Sequence, residues 1–328
     1  MIAGPTPQRS LGMLERMLLI RRVEEQLGED FKAGKLPGNV HLYIGQEATA
    51  VGVCSHLRDS DWIASTHRGH GHFLAKGGDP GAMIAEVYGR KDGVCRGMGG
   101  SMHVADVSKG ILGANGIVGG GIGLTTGAAL AAQLDAKGAV AVCFFGDGAA
   151  AQGVVYEALN LSSLWKLPLI LVCENNGYSQ FTVGSTVTAG SIAGRAAPFG
   201  VPSEAIDGND LLAVWQAAGN AIERARKGEG PTLLESRTYR LRGHLEAEKH
   251  FIQGSYRSPE EIEAWAKRDP IARFAERLRS EKILQDPAYA AMERRVAETV
   301  KAAVAFADQS PLPDPAQLRD MVFYGQLP

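Results

Sequence analysis

Two polar residues in this chain each follow an apolar run, at positions where chemistry is possible. Asp147 lies between two glycines directly after the run 139–145, and Asn176 ends the Glu-Asn-Asn sequence after the run 169–173. Ligands of open α/β sheets bind at the carboxyl ends of strands, and the ends of neighbouring strands lie about 5 Å apart. Carboxylate and amide oxygens suit Mg²⁺, which completes its octahedron with phosphates and water. The pattern therefore predicts a Mg²⁺-bridged diphosphate.

The residues on either side of Asp147 add a phosphate-binding feature. Gly146 and Gly148 let a phosphate approach the backbone, and a helix that begins near Ala149 would present unpaired N–H groups to it. Taken singly, Gly-Asp-Gly and Asn-Asn-Gly are each compatible with an ordinary turn. Together, across one strand–helix–strand unit, they form a more specific pattern.

A cluster of histidines is the second pattern. Residues 66–72 read Thr-His-Arg-Gly-His-Gly-His. His67, His70 and His72 are close enough in sequence to suggest zinc, so a zinc-dependent hydrolase is an alternative from another enzyme class. Zinc takes three or four N, S or O ligands with supporting partners, and Arg68 puts a cation among these histidines. A polar loop with one structural histidine is the remaining interpretation.

A dinucleotide-binding site is a further alternative, because glycines concentrate between residues 97 and 127. No register of 119–127 completes G-x-G-x-x-G, and we predict no apolar strand before it. The pattern therefore disfavours a dinucleotide site.

Hydrophobic periodicity predicts the elements that position these residues. The runs 139–145 and 169–173 are typical of parallel strands buried on both faces, joined by a helix of about 15 residues whose Tyr156, Leu159 and Leu164 face the sheet. Further strands are predicted at 62–65 and 231–239. Helices are predicted over roughly the first 30 residues and at 45–57, 80–90, 128–134, 210–227, 259–267, 270–278 and 292–307. The segments 182–203 and 243–256 are predicted to be functional loops.

The motifs resemble those of the α chains of heterotetrameric, thiamin-diphosphate-dependent 2-oxo acid and acetoin dehydrogenases. Matching segments include 41–47, 65–71, 113–119 and 238–244. The resemblance implies an α/β thiamin-diphosphate-binding fold with a mainly parallel central sheet flanked by helices. It implies three parts: an N-terminal helical arm (1–60), a diphosphate- and Mg²⁺-binding α/β domain (61–257), and a C-terminal helical extension and tail (258–328).

The resemblance also implies a cofactor site. Asp147, Asn176 and the carbonyl of Tyr178 would ligate Mg²⁺, and Arg68 and His244 would bind the diphosphate. Backbone contacts with the aminopyrimidine would explain the glycine-rich stretch. The whole cofactor-binding set implied is Arg68, Gly116, Val118, Gly146, Asp147, Gly148, Ala149, Asn176, Tyr178 and His244.

The reaction implied cleaves a C–C bond next to a carbonyl and passes the acyl unit oxidatively to a lipoyl carrier, with His67, His244 and His41 as catalytic residues. Acetoin is the favoured substrate, because pyruvate dehydrogenase α chains tend to carry Tyr where His67 stands and Ser where Leu245 stands. Pyruvate or another 2-oxo acid is the alternative. Departures from both types are Ala151 and the segments 182–193 and 246–254.

The same resemblance implies partners. A β subunit would complete an α₂β₂ heterotetramer and supply the glutamate that activates the cofactor, so this chain alone would bind cofactor without turnover. A lipoyl-bearing acyltransferase would accept the acyl unit, and the substrate would be a small acyloin or 2-oxo acid.

Composition fits a globular enzyme of 328 residues. Hydrophobic residues make up 45% of the chain, charged residues 21%, and the net charge is −2, which favours neither nucleic acid nor a membrane surface as a partner. The N-terminus lacks a secretory pattern, no apolar stretch has the length of a membrane span, and four scattered cysteines suggest a reducing compartment. We expect a cytoplasmic protein.

Overall fold

The fold is organised around one six-stranded parallel sheet in the computed structural model, which describes residues 2–317. The strands are β1 Trp62–Thr66, β2 Ile111–Asn115, β3 Ala141–Gly146, β4 Leu169–Asn175, β5 Tyr178–Ser179, β6 Thr182–Val183, β7 Ser203–Asp207 and β8 Thr232–Arg237. The sheet order is β2-β1-β3-β4-β8-β7, with every pair parallel, and β5 and β6 form a separate antiparallel pair. The prediction of an α/β fold with a mainly parallel sheet is confirmed.

Helices cover both faces of the sheet. They are α1 Pro7–Lys32, α2 Glu47–Cys54, α3 His70–Ala75, α4 Pro80–Val87, α5 Gly120–Asp135, α6 Gly153–Leu164, α7 Leu211–Arg226, α8 Pro259–Ala266, α9 Pro270–Ser280 and α10 Asp286–Gln309. Several begin where a side chain caps them: Asp210 accepts from the backbone at the start of α7, and Ser258 does so for α8. In the described part of the chain, no helix is long and apolar enough to cross a membrane.

The apolar runs of β3 and β4 are buried because their side chains alternate between two cores. Val142 and Phe144 point into one cluster, whereas Cys143 and Phe145 point into the other. This alternation is the period-2 geometry of a strand covered on both faces. All four cysteines are free thiols, and only Cys95 among them is not buried.

The first and last helices, α1 and α10, pack into the core cluster that contains Val142 and Phe144. Leu14 of α1 and Val296 of α10 are buried in it together with Val142 of β3. The three-part division at 1–60, 61–257 and 258–328 remains a prediction, and residues 318–328 of its last part lie outside the described residues.

Two strands of the six-stranded sheet and one helix start differ from the predictions, and the short elements β5, β6 and α3 were not predicted either. β2 and β7 were not predicted, and α5 begins at Gly120 instead of 128, so the expectation that no strand precedes the glycine-rich segment is wrong. β2 reads Ile-Leu-Gly-Ala-Asn and offers only two large apolar side chains, too few for a hydrophobic pattern. A Cβ at Gly121 would lie 3.6 Å from that of Ala64 in β1, an ordinary van der Waals distance, so the packing of α5 against the sheet does not require a glycine at this position.

The helix after Asp147 is shorter than predicted. A 3₁₀ turn at Ala149–Ala151 precedes α6, which has 12 residues. Leu159 is buried as predicted, but Tyr156 and Leu164 are exposed, which corrects their assignment to the sheet-facing side. The buried residues of α6 are Val155, Ala158, Leu159 and Ser162, and their helical spacing places them on one face.

The remaining predicted elements are present with shifted ends. α10 starts earlier than the predicted 292, and α2 is shorter than 45–57. The predicted loop 182–203 contains β6 and two 3₁₀ turns, and 243–256 contains one at Glu248–His250.

Candidate functional site

A cavity of about 290 Å³ lies where the chain leaves the carboxyl ends of β1, β3 and β4. It is lined by all of the residues that the sequence predicted for the site: His41, His67, Arg68, Gly116, Val118, Gly146, Asp147, Gly148, Ala149, Asn176, Tyr178 and His244. Open α/β sheets bind their ligands at the carboxyl ends of parallel strands. The fold thus gathers residues separated by some two hundred positions in sequence around one space.

One end of the cavity carries an unsatisfied carboxylate. β3 and β4 pair in parallel with Gly146 opposite Glu174, so Asp147 and Asn176 each come directly after a strand end, as predicted. Asp147 is 2% exposed and its Oδ2 has no hydrogen-bond partner. Burial raises the pKa of this carboxyl, a shift that the nearby Arg240 opposes. A buried oxygen without a partner costs about 1–3 kcal/mol, and a cation would remove that cost.

Asn176 and Tyr178 are held beside this carboxylate. The Asn176 amide donates to Gln46 Oε1 at 3.0 Å, and its Oδ1 accepts the Tyr178 N–H at 3.2 Å. An amide oxygen has two lone pairs, so one remains for a cation. The Tyr178 hydroxyl donates to the Glu261 carboxylate at 2.8 Å, which ties this end of the cavity to α8. The oxygen-rich set fits Mg²⁺.

The cavity wall also carries two cations, Arg68 and Arg240. Arg68 donates to the carbonyls of Leu42 at 2.6 Å and His244 at 2.8 Å, and Arg240 donates to the carbonyl of Gln180 at 2.9 Å. Both arginines are buried, and among the described residues neither forms a salt bridge with a carboxylate. Burial, followed by repulsion from Arg240, lowers the pKa of Arg68. Two buried guanidiniums without a carboxylate fit an anion such as a diphosphate.

Arg240 lines the cavity and was not predicted from the sequence. It stands four positions before His244 in a segment that matched the family pattern. The four-residue spacing from His244 could have indicated Arg240. The sequence alone, however, does not tell which arginine of the segment points into the cavity. The structure places it 2% exposed, with its Nε lacking a partner.

Three histidines lie together beside Arg68 and Arg240. The ring centroids of His41 and His67 are 4.6 Å apart, those of His41 and His244 5.0 Å, and those of His67 and His244 5.4 Å. Burial, followed by the charge of Arg68, lowers the pKa of His41 to about 2 and that of His67 to about 3. The same causes lower the pKa of His244 strongly. At neutral pH all three rings are therefore uncharged.

The alternative zinc set of His67, His70 and His72 does not come together in the structure. His70 contacts Glu24 at 3.2 Å, and the His72 nitrogens contact Ser65 at 2.7 Å and Glu174 at 3.2 Å. α3 begins at His70, so the ring of His70 and that of His72, two residues on, project to different sides of the helix. Neither lines the cavity with His67.

The cluster that does form, His41, His67 and His244, brings three ring nitrogens within 4.8 Å of one another. Two buried guanidiniums border it, and Arg240 donates to His244 Nδ1 at 2.7 Å. This positive surrounding disfavours a divalent cation at the three rings.

Comparisons with known proteins agree on one family. The family described as dehydrogenase E1 component matches residues 15–316. The α subunits of the acetoin:2,6-dichlorophenolindophenol oxidoreductases of Bacillus subtilis and Cupriavidus necator are 48% and 46% identical, covering 97% and 95% of this chain and 94% and 93% of their own. The pyruvate dehydrogenase E1 component subunit alpha of Rhizobium meliloti is 39% identical, covering 97% of this chain and 90% of its own.

Proposed function

Because this chain belongs to the dehydrogenase E1 component family, whose members use thiamin diphosphate, we propose that it is the α subunit of an acetoin dehydrogenase. It binds Mg²⁺ together with the diphosphate of the cofactor. One observation carries the proposal: an unpartnered buried carboxylate and two buried arginines without a carboxylate border the same cavity. When bound, thiamin diphosphate supplies the nucleophilic carbon at which a C–C bond next to a carbonyl is broken.

The residues divide between the metal and the cofactor. Asp147 Oδ2, Asn176 Oδ1 and the Tyr178 carbonyl hold Mg²⁺, while Arg68 and His244 bind phosphate oxygens. Arg240 adds a second positive charge near Arg68. The backbone of the remaining lining positions, Gly116, Val118, Gly146, Gly148 and Ala149, accommodates the rest of the cofactor.

The charges of the cavity favour a neutral substrate. Among its described lining residues, Arg68 and Arg240 are the only lysines or arginines, and the diphosphate occupies both. A 2-oxo acid needs a further cation for its carboxylate, whereas acetoin presents a hydroxyl whose proton has to leave as the C–C bond breaks. Identity of 48% with an acetoin:2,6-dichlorophenolindophenol oxidoreductase subunit supports this choice.

His67 is suited to accept that proton. Its Nε2 is buried and has no partner. The low pKa of His67, caused by burial and then by the cations Arg68 and Arg240, keeps the ring neutral, so one ring nitrogen has a free lone pair. A bound diphosphate offsets the two arginine charges and raises this pKa toward the range where general bases work well. His41, with its unpartnered Nδ1, lies beside it as a substrate-side residue.

A β subunit is required to complete the site. Glu174 is the one glutamate among the described lining residues, and it is already engaged by Tyr43 and His72. The glutamate that activates the cofactor therefore comes from the β chain of an α₂β₂ heterotetramer. A lipoyl-bearing acyltransferase takes the acyl unit.

The substrate assignment is tested by dye-linked turnover of the enzyme reconstituted from both subunits. Acetoin, pyruvate and a branched 2-oxo acid are compared side by side, each with thiamin diphosphate and Mg²⁺. We expect the highest kcat/KM with acetoin. A tenfold advantage of pyruvate, about 1.4 kcal/mol in transition-state binding, contradicts the acetoin assignment and favours the pyruvate dehydrogenase alternative, which the 39% identity with a pyruvate dehydrogenase subunit keeps open.

A further inference from the structure

The contact between Arg240 and His244 fixes which nitrogen of the histidine carries its proton. Arg240 Nη1 lies 2.7 Å from His244 Nδ1. A guanidinium only donates hydrogen bonds, so Nδ1 must offer its lone pair. A neutral imidazole with an unprotonated Nδ1 carries its proton on Nε2.

We propose that Arg240 holds His244 as the Nε2–H tautomer, so that His244 is a neutral hydrogen-bond donor in the cavity and not a proton acceptor. The inference rests on the proposed function in one respect: the acceptor facing Nε2–H is a diphosphate oxygen. It assigns the proton-accepting role to His67 or His41 and makes Arg240 a positioning residue.

Further hydrogen bonds hold Arg240 and the backbone of His244 in place, so the contact between the guanidinium and Nδ1 is maintained. Arg240 donates through Nη2 to the carbonyl of Gln180 at 2.9 Å, and its own carbonyl accepts from Arg257 at 2.6 Å. The backbone N–H of His244 donates to Glu248 Oε2 at 2.8 Å, and the backbone carbonyl of His244 accepts from Arg68 at 2.8 Å.

The surrounding charges keep the ring neutral. The titratable groups facing the His244 ring are His41, His67, Arg68 and Arg240, while Glu248 accepts from the His244 backbone N–H and Tyr256 lies behind Arg240. Arg68 Nη2 also approaches His244 Nδ1, at 3.5 Å. A proton on Nδ1 would point an N–H at two guanidiniums that can only donate, whereas a proton on Nε2 avoids both contacts and leaves the Nδ1 lone pair to accept from Arg240.

A donor role and a base role for His244 predict different outcomes for one substitution. A glutamine amide presents an oxygen to accept from Arg240 and an NH₂ group to donate, but it has no basic nitrogen. For His244→Gln in the reconstituted enzyme, we expect the Kd for thiamin diphosphate with Mg²⁺ to rise by less than about threefold. For His244→Ala we expect a rise of roughly tenfold to a hundredfold, the worth of a hydrogen bond to a charged group.

The matched comparison is His67→Gln. For both variants, calorimetry measures the Kd for the cofactor and the dye-linked assay measures kcat. It should leave the cofactor Kd near that of the wild type and lower kcat by about 10²-fold or more, the usual contribution of a general base. If His244→Gln instead lowers kcat by that factor with its Kd intact, His244 transfers a proton and the proposal is overturned.

Spectroscopy tests the tautomer independently of cofactor and turnover. Solid-state ¹⁵N NMR of the histidine-labelled heterotetramer, with His244 identified by the signal lost in His244→Gln, should show an unprotonated Nδ1 and a protonated Nε2. In Arg240→Met this signal should change to the charged form as pH falls, and Arg240→Lys, which retains a donor, should resist that change. The opposite tautomer in the wild type refutes the proposal. Absence of cofactor binding by the wild type would refute the proposed function alone.

Discussion

At the scale of single residues, unpaired polar atoms identify the site more clearly than residue types do. Asp147 Oδ2, His41 Nδ1 and His67 Nε2 are all buried without partners at one cavity. Native proteins satisfy most buried polar groups, so these atoms indicate where a ligand is expected. The sequence predicted every one of these residues because each stands in a motif. It did not predict Arg240, since inward rotation of an arginine depends on tertiary contacts.

Replacing the unpartnered carboxylate should separate cofactor binding from folding. We expect Asp147→Asn to abolish Mg²⁺-dependent binding of thiamin diphosphate, because an amide cannot supply the charge. The fold should survive, since the buried charge is unfavourable without a cation. Calorimetry of the reconstituted enzyme and thermal unfolding without Mg²⁺ measure the two effects. The control is the exposed Asp135→Asn, and unchanged affinity in both Asp147→Asn and Asn176→Ala contradicts the metal assignment.

The same carboxyl predicts the direction of a pH effect on the metal-free protein. Burial raises the pKa of Asp147 in the folded state, so the folded state binds a proton more readily than the unfolded state does. Stability of the metal-free chain should therefore rise as pH falls through the raised pKa, and this gain should be missing in Asp147→Asn. Thermal unfolding of both proteins over a pH series measures it, with the difference between them as the quantity of interest. A wild-type profile identical to that of the variant would mean that the carboxylate is already satisfied.

At the scale of elements, the two strands with continuous apolar runs were the most predictable part of the fold. β3 and β4 are buried on both faces, so every residue of the run is apolar. β2 and β7 escaped prediction for the opposite reason: their residues are only partly buried, as the exposed start of β7 illustrates. Helix ends were predicted well where a capping residue such as Asp210 marks them.

α8 should tune the metal site through Tyr178. The Glu261 carboxylate accepts the Tyr178 hydroxyl at 2.8 Å, and burial with this hydrogen bond raises the pKa of Tyr178 to about 12. We expect Glu261→Ala to raise the Mg²⁺ concentration for half-saturation by about three- to tenfold, less than is usual for partners of side-chain ligands, because it acts through a backbone carbonyl. Tyr178→Phe should reproduce the effect. The exposed Glu263→Ala, on the same helix, is the control, and equal shifts in both glutamate variants would contradict a specific role.

The loop 243–256 should become ordered around the cofactor. It carries His244, whose carbonyl accepts from Arg68 and whose ring accepts from Arg240, and the charges of these two arginines repel each other. Neutralising both arginines with a diphosphate removes their repulsion and should strengthen the loop's attachment. Limited proteolysis of the reconstituted enzyme should show slower cleavage in 243–256, and in the predicted functional loop 182–203, when thiamin diphosphate and Mg²⁺ are present. Mg²⁺ alone is the control, and identical cleavage patterns would argue against this coupling.

At the scale of the whole molecule, the surface beside the cavity exposes several large apolar side chains. They lie on the segment before α5, on α5, on α6 and directly after α6: Ile117, Val118, Leu124, Leu134, Tyr156, Leu161, Leu164 and Trp165. The ends of the two helices meet where Gln133 donates to the Trp165 carbonyl at 3.0 Å. Exposed apolar groups of this kind mark protein–protein contacts. The sequence assigned Tyr156 and Leu164 to the core because periodicity does not distinguish a core from an interface.

This apolar face predicts how the α chain depends on its partner. Val118 belongs both to the face and to the cavity wall, so a β subunit seated there would cover the cavity and bring its glutamate to the cofactor. Leu124→Asp with Leu164→Asp should therefore weaken the heterotetramer and reduce turnover in proportion, because a buried aspartate without a partner is costly at an interface. Since Leu124 is 59% and Leu164 71% exposed, thermal unfolding of the α chain alone should change little.

The measurement pairs sedimentation of the mixed subunits with dye-linked turnover. Purified α chain should be inactive, and adding the β chain should restore activity to the wild type far more than to the double variant. Two aspartates at exposed alanine positions of α10, Ala297→Asp and Ala302→Asp, add the same two charges elsewhere and provide the control for the substitution itself. Full turnover by the α chain alone would assign the activating group to this chain. Normal assembly of the double variant would instead move the β-subunit contact to another face, because two charges in a covered apolar surface could not be accommodated without loss of affinity.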